Sequence, residues 1–266
     1  MKTIRLLFSV WLMFVTVILG GENPWRLSAK RMSSPTLGWT RSAIEGFALP
    51  TSVKPGEEIK FYVSVCDSGS QHQNYKIKIF RIPDITNALY TSSIYTGAFY
   101  PLHDANGSVI NIGDYSRKAV DFKKGCKQYW EPTAISFSIP SGWQSGLYCA
   151  QLEHQSSSVS QKDYYVPFII RSPVAGSTSN ILFKFDFNTL HAYNWWGGGS
   201  LYSVAQDENL TSLTISDTIA IDRPMQFGVN FFYYANQFIK TLEDSGMVME
   251  YCNNIDVDSS NQTESV

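Results

Sequence analysis

The chain has 266 residues, of which 44% are hydrophobic and 14% aromatic, so it can bury a sizeable core as one large domain or two ordinary ones. Its formal net charge is −2, only 17% of the residues are charged, and no block of Lys or Arg is present. This balance excludes the basic face that nucleic-acid binding requires, and we expect no nucleic-acid partner.

The N-terminus has the pattern of a secretory signal peptide. Two basic residues, Lys2 and Arg5, precede an apolar run over residues 6–19, which ends at Gly20-Gly21 and then turns polar. A membrane anchor is the alternative, but the run is shorter than the roughly 20 residues that span a bilayer. We predict that the first 21 residues form a signal peptide, cleaved near the two glycines, and that the protein is secreted or extracellular.

The next part of the chain, to about Arg171, consists of short alternating segments separated by turn residues. In EIKFYVSV, residues 58–65, the apolar side chains of Ile59, Phe61 and Val63 share one face at a period of two. NYKIKIFRI, AISFSIP, GLYCAQL and YYVPFIIR continue this strand-like character. The pattern predicts an N-terminal antiparallel β-sandwich over residues 22–172.

Secretion would place four cysteines in an oxidising compartment. An even number there suggests disulfides, with three pairings open, and the absence of a CxxC or Cys/His cluster makes a zinc site improbable. Cys66 and Cys149 lie in strand-like runs, which favours structural roles for these two residues. The disulfide candidates are Cys66, Cys126, Cys149 and Cys252.

Three short sequons would become glycosylation sites in a secreted chain. The acceptors are Asn106, Asn209 and Asn261. Each motif is common, so we take them together as support for a secreted glycoprotein.

The pattern changes after Ser172-Pro173. ILFKFDFNT, residues 181–189, is typical of a buried strand, residues 231–242 place apolar side chains at helical spacing, and MVMEYC resumes a strand. Strand, helix, strand predicts an incomplete parallel α/β (βαβ) unit over residues 173–266. One such unit cannot cover both faces of a parallel sheet, so we expect an oligomer or a further C-terminal part of the same gene product.

The segment HAYNWWGGGSLY directly follows the first of these strands, and two aspartates follow the second. In open α/β sheets, ligands gather at the carboxyl ends of parallel strands, so both features could meet at one edge. Packing is the alternative interpretation for the aromatics, and solvent exposure for the aspartates. The predicted pocket residues are His191, Asn194, Trp195, Trp196, Tyr202, Asp256 and Asp258.

The order of motifs in this region resembles one known family. AYNWWGGGSLY, then IAIDRP, then FIKTLEDSGMVMEYCNNIDVD is similar to the AYNxWGGxSLY, DRP and LExxGxxxxYxxxxD run of the N,N-dimethylformamidase β-subunit-like family. IPSGWQSGLYCAQL resembles the SGxY turn of the sandwich that precedes it in that family. The resemblance covers the chain from about Gly46 to Asp258.

The resemblance implies amide hydrolysis at a mononuclear iron held by two tyrosines and a glutamate. By position, the tyrosine of SGxY is Tyr148 and that of AYN is Tyr193. Phenolate oxygens suit a Lewis-acidic ferric ion, which would polarise the carbonyl of a linear amide. A core role for Tyr148 and a packing role for Tyr193 are the alternatives.

The sequence departs from the family where a GHDEYW-like segment would follow the Asp-rich strand. Neither Glu243 nor Glu250 occupies the matching position. We therefore expect a truncated member of an iron-dependent amide (C–N) hydrolase family that is inactive alone and has a small amide as its substrate. The alternative is a non-catalytic secreted module that binds a glycan or peptide through its aromatic loop.

Overall fold

The computed structural model describes residues 43–65, 72–100, 102–103, 109–110, 126–156, 163–194, 196, 201, 219–225 and 228–263. The predicted signal peptide lies outside these residues. Strands account for 41% of the structure and helices for 19%. The strands form several sheets, which confirms a mixed fold rich in β structure. The strands are β1 (Ile44–Leu49), β2 (Ser52–Val53), β3 (Glu58–Val65), β4 (His72–Arg81), β5 (Tyr90–Thr91), β6 (Tyr95–Ala98), β7 (Leu102–His103), β8 (Val109–Ile110), β9 (Ile135–Ser138), β10 (Gly146–His154), β11 (Asp163–Ile170), β12 (Leu182–Phe185) and β13 (Glu250–Asn253).

The part of the chain that the structure describes also contains four α-helices. They are α1 (Lys127–Trp130), α2 (Phe187–Tyr193), α3 (Gly228–Asp244) and α4 (Asn254–Thr263), and a 3-10 turn covers Glu131–Thr133. Within the part of the chain that the structure describes, no helix is both long and apolar enough to cross a membrane.

Two sheets bury a common cluster of side chains, which we call the two-sheet core. One sheet has the order β1-β3-β9, and the other has β2-β11-β10-β4-β5 with β6 also paired to β4. Ile59, Phe61 and Val63 are all at most 1% exposed in this core, as their alternation predicted. Phe61 meets Phe168 of the facing sheet edge to face, with ring centroids 5.8 Å apart. Burial of such apolar side chains provides the main driving force for packing the two sheets.

The larger sheet is covered on its other face by a second cluster, the α/β core. Leu147, Cys149 and Ile169 contribute from that face, and Phe187 of α2 and Ile239 of α3 pack against them. Strands β12 and β13 pair in parallel, with α3 between them along the chain. The helix predicted over residues 231–242 lies within α3. Since this cluster draws residues from both sides of position 172, the two predicted units share a core.

Helix α2 begins where the sequence predicted that a strand would continue. The predicted strand over residues 181–189 ends at Phe185, because the Asp186 carboxylate accepts hydrogen bonds from the Thr189 amide at 3.2 Å and hydroxyl at 2.7 Å. This is a side-chain N-cap. Phe187, Leu190 and His191 then fall on one buried face at helical spacing.

Helix α4 follows β13 directly, at the two aspartates that the sequence placed after the last strand. The Asn253 side-chain oxygen accepts from the Asp256 amide, and the Asp256 carboxylate accepts from the Asn253 amide, both at 2.8 Å. Such reciprocal bonds form a capping box that satisfies donors at the helix start. Asp256 therefore begins a helix instead of ending a strand.

Candidate functional site

The AYN motif ends α2 and turns into the core, where Arg223 of the DRP motif meets it. The Arg223 guanidinium is 2% exposed and donates to the carbonyl oxygens of Trp196 at 2.9 Å, His191 at 3.0 Å and Asn194 at 3.1 Å. Burial lowers the pKa of Arg223 to about 10, so the guanidinium is still charged at neutral pH. The three carbonyl dipoles stabilise this buried charge.

Asn194 also links the two motifs, through the hydrogen bonds of its side chain. Its side chain is fully buried, donates to the Pro224 carbonyl at 2.8 Å and accepts from the Trp196 amide at 3.1 Å. Each motif therefore satisfies polar groups of the other. We call residues 191–194, 196 and 223–224 the AYN–DRP interface.

The residue before Arg223 ties this interface to α1. The Asp222 carbonyl accepts from the Cys126 amide at 2.8 Å, and its carboxylate accepts from the Lys127 amide at 3.0 Å. Burial raises the pKa of Asp222, against the lowering effect of the hydrogen bonds from these backbone amides. The IAIDRP segment thus links the start of α1 to the end of α2.

Trp196 is a packing residue. It is 2% exposed, and its ring meets Trp130 of α1 nearly at right angles, with centroids 6.1 Å apart. Phe47 and Tyr62 belong to the same aromatic cluster. A ring enclosed in this way cannot stack on a sugar, so the glycan-binding alternative loses one of its predicted contacts.

A small cleft opens beside the AYN–DRP interface. Its polar lining includes His191, Arg223 and Thr51, and its volume of about 10 Å³ has room for roughly one water molecule. His191 is 3% exposed, and burial followed by the Arg223 charge lowers its pKa to about 3, so the imidazole is neutral. Its Nδ1 atom has no hydrogen-bond partner among the described residues.

The cleft lies near the carboxyl ends of both parallel strands. Thr51 accepts a hydrogen bond from the Asn253 carboxamide at 2.9 Å, and Asn253 is the last residue of β13. Asn253 is paired in register with Phe185, the last residue of β12, and α2 follows directly. The first residues of the HAYNWWGGGSLY segment and the end of β13 are therefore brought to one region.

The two tyrosines that the resemblance identified have different environments. Tyr193 is the last residue of α2 and is 38% exposed. Tyr148 is 1% exposed, stacks on Trp143 with centroids 5.2 Å apart, and donates its hydroxyl to the Gln144 carbonyl at 2.8 Å. Burial raises the pKa of Tyr148 to about 12, against the lowering effect of Arg81.

Tyr148 and Tyr193 do not fit a shared iron site in this arrangement. The Tyr148 side chain lies on the face of β10 that belongs to the two-sheet core, whereas α2 packs against the opposite face through Leu147 and Cys149. Successive side chains of a strand alternate between faces, so the sheet separates Tyr148 from the helix that carries Tyr193. A phenol with a raised pKa and a bonded hydroxyl is also a poor source of the phenolate that ferric iron needs.

Both glutamates considered for the missing ligand have structural partners. Glu243 accepts two hydrogen bonds from Arg81, at 3.0 and 2.7 Å. Glu250 accepts from the amides of Gly176 and Thr178, each at 2.7 Å. Across the described residues, no group of three His, Cys, Asp or Glu side chains could hold a metal ion.

The remaining predicted site residues divide into two groups. Asp256 forms the capping box and an ion pair with Arg171 at 3.3 Å, while Asp258 is exposed on α4, so neither is placed in the cleft lining. Asn261 is in α4. The residues outside the described part are Trp195, Tyr202, Asn106, Asn209 and Cys66.

The disulfide prediction requires a correction. Cys149 and Cys252 are buried free thiols, and no disulfide joins them to each other or to Cys126. Cys149 is fully buried in the apolar α/β core, where it acts as a small hydrophobic side chain. The structural role predicted for Cys149 therefore comes from packing.

Arg223 is the main site residue that the sequence analysis did not single out. The signal was the DRP motif itself, in which Arg223 donates to the turn after α2 and the Pro224 carbonyl accepts from Asn194. A second missed residue is Tyr251 of β13, which is 1% exposed and donates its hydroxyl to Glu243 at 2.9 Å.

Comparison with known proteins identifies the family. The family model described as N,N-dimethylformamidase beta subunit-like, C-terminal, matches residues 102–265. The chain belongs to this family. The matched region of this dimethylformamidase beta subunit-like chain contains Tyr148, Tyr193 and the whole AYN–DRP interface.

Two further comparisons add little. No match to a curated protein was found. Among solved structures, a chain of the complex between zinc 2-glycoprotein and prolactin inducible protein from human seminal plasma is similar, with 10% identity over 52% of this chain and 98% of that chain. Its TM-score is 0.24, and a likeness at that level carries no argument about fold or function.

Proposed function

We propose that the chain is a secreted dimethylformamidase beta subunit-like protein that presents Tyr193 to a small amide ligand. The observation that carries this proposal is that Tyr193, 38% exposed at the end of α2, is two residues from His191, which lines the cleft near the carboxyl ends of two parallel strands. Ligands of open α/β sheets bind at such ends. In this proposal a β-sandwich over residues 22–172 supports a partial α/β unit over residues 173–266.

The same proposal holds that this chain does not hydrolyse amides by itself. Its support is the engagement of Glu243 by Arg81 and Tyr251, and of Glu250 by the segment before β12. Carboxylates held in this way cannot also bind a metal without breaking these contacts. The catalytic carboxylate would come from another polypeptide segment or from an oligomeric partner.

Iron binding stays a prediction, and the two tyrosines differ in their ability to contribute to it. Tyr193 is accessible at the end of a helix, whereas the Tyr148 hydroxyl is bonded to Gln144 inside the protein. Of the predicted pair, Tyr193 is the residue that we expect to contact any bound metal.

Ferric iron titration of the purified mature chain tests this proposal. Iron content and the visible absorption of a phenolate–iron contact would be measured for the wild type, Tyr193→Phe and Tyr148→Phe, together with hydrolysis of N,N-dimethylformamide. We expect Tyr193→Phe to remove the band, Tyr148→Phe to retain it, and the chain alone to give no turnover. Turnover by the chain alone, or loss of the band only in Tyr148→Phe, would contradict the proposal.

A further inference from the structure

The backbone on both sides of Tyr193 is held by one side chain. Nη2 of Arg223 donates to the carbonyls of His191 and Asn194, which are two residues before and one residue after Tyr193. Nη1 donates to the Trp196 carbonyl, further along the same turn. The planar guanidinium offers several donors in a fixed geometry, so it can bind three converging carbonyls at once.

Arg223 gives each of these carbonyls a charged hydrogen bond inside the protein. The surrounding residues are buried, with His191 at 3%, Asn194 at 0% and Trp196 at 2% exposed. A buried carbonyl without a hydrogen bond is costly, and the turn leaves three of them pointing at one place. Tyr193 itself is 38% exposed, so the position of its phenol depends on the backbone of the turn as well as on side-chain contacts.

We propose that Arg223 is a positioning residue that fixes the turn from His191 to Trp196 and thereby sets the position of the Tyr193 phenol. The inference rests on the proposed function in one respect, namely that Tyr193 is the ligand-facing group. Its structural content is independent of iron and substrate. A role for Arg223 in general stability alone is the competing explanation.

Hydrogen exchange of the full mature chain, read by peptide mass spectrometry, separates the two explanations. Amides of the turn are bonded in the native state: Asn194 to the His191 carbonyl at 3.2 Å, and Trp196 to the Asn194 side chain at 3.1 Å. If Arg223 holds the turn, Arg223→Met should accelerate exchange in the peptide over residues 190–196 by about tenfold, because loss of a charged hydrogen bond favours local opening by that order. Peptides from β4 and β10 should exchange as in the wild type.

Arg223→Lys provides a graded comparison and keeps the test usable if Arg223→Met does not fold. Lysine retains the charge but not the fork of donors, so exchange in the turn should lie between those of wild type and Arg223→Met. The matched control is Arg171→Met, because Arg171 is a partly buried arginine whose described ion pairs, at 3.3 Å to Asp256 and 3.7 Å to Glu57, lie outside the AYN–DRP interface. It should leave the turn peptide unchanged.

Two outcomes would overturn the inference. One is unchanged exchange of the turn peptide in Arg223→Lys, and the other is an equal acceleration in all peptides, which indicates a role in general stability. Neither outcome depends on whether the chain binds iron, so failure of the proposed function would be seen separately in the iron titration.

Discussion

Arg81 of β4 and Glu243 of α3 form a two-point ion pair that joins the two-sheet part of the molecule to the α/β part. The distances are 3.0 Å from Nη1 to Oε2 and 2.7 Å from Nη2 to Oε1, and the Tyr251 hydroxyl donates to the same carboxylate at 2.9 Å. Gly146 lies alongside, where an added Cβ would be 2.8 Å from Arg81 Nε. The glycine of the SGxY turn therefore leaves room for the arginine side chain to reach α3.

We predict that Glu243→Gln lowers the free energy of unfolding by about 2 kcal/mol, because the pair is charged, hydrogen-bonded and partly buried. The two side chains are 25% and 23% exposed. Urea denaturation would measure the change. Lys240→Met is the control, since its pair with Asp244 has side chains 55% and 62% exposed and should contribute less than about 0.5 kcal/mol. Equal effects of the two substitutions would show that the Arg81–Glu243 pair has no special role.

Glu250 should make stability depend on pH in the acidic range. Burial alone would raise its pKa, but hydrogen bonds from Thr178 and Gly176 lower it from 4.5 to about 2. The folded state therefore holds the proton less tightly than the unfolded state, so the stabilisation is complete above pH 4.5 and is lost as pH falls towards 2.

The measurement for Glu250 is the free energy of unfolding of wild type and Glu250→Gln between about pH 6 and about pH 3. The difference between the two proteins should shrink as pH falls, because the other carboxylates contribute equally to both. A difference that stays constant over this range would refute the predicted role of Glu250.

Cys149 and Cys252 should be recovered as free thiols. Alkylation of the denatured protein without reductant should label both residues, and native protein should leave Cys149 unlabelled because burial raises the pKa of its thiol. Peptide mapping would measure the labelling. Recovery of Cys149 in a disulfide-linked peptide would contradict this prediction.

The mature protein should begin near Gly21 or Glu22, as expected from the apolar run between the basic residues and the two glycines. N-terminal sequencing of secreted material would locate the first residue. Recovery of Met1 from the medium would show that the segment is not removed.

Much of the β structure was predictable, because residues such as Ile59, Phe61 and Val63 alternate with more polar neighbours. The direction of the Tyr148 side chain was not. Strand β10 is buried on both faces through most of its length. Its sequence therefore does not distinguish the face that packs in the two-sheet core from the face that packs in the α/β core. The sequence therefore could not show that the Tyr148 side chain lies in the two-sheet core.

Two of the three helices that the sequence did not predict, α2 and α4, depend on side-chain caps. Asp186 follows a strand, and Asn253 is the last residue of one. In the sequence, Asp and Asn at such positions are as typical of a turn as of a helix start. The AYN–DRP interface was beyond prediction for another reason: Arg223 lies 27 residues after Trp196 and 32 after His191, and only the folded chain brings the three carbonyls to one guanidinium. The motifs were visible, but their contact was not.

The central claim is that Tyr193 faces solvent at the candidate site while Tyr148 belongs to the core. Nitration of the native protein with tetranitromethane, followed by peptide mapping, tests it most directly, because the reagent attacks accessible phenolates. Tyr193 is 38% exposed, whereas Tyr148 is 1% exposed and has its pKa raised to about 12. The account predicts nitration of Tyr193 with Tyr148 protected until the protein unfolds. Nitration of Tyr148 in the native protein as fast as Tyr193, or protection of Tyr193, would contradict it.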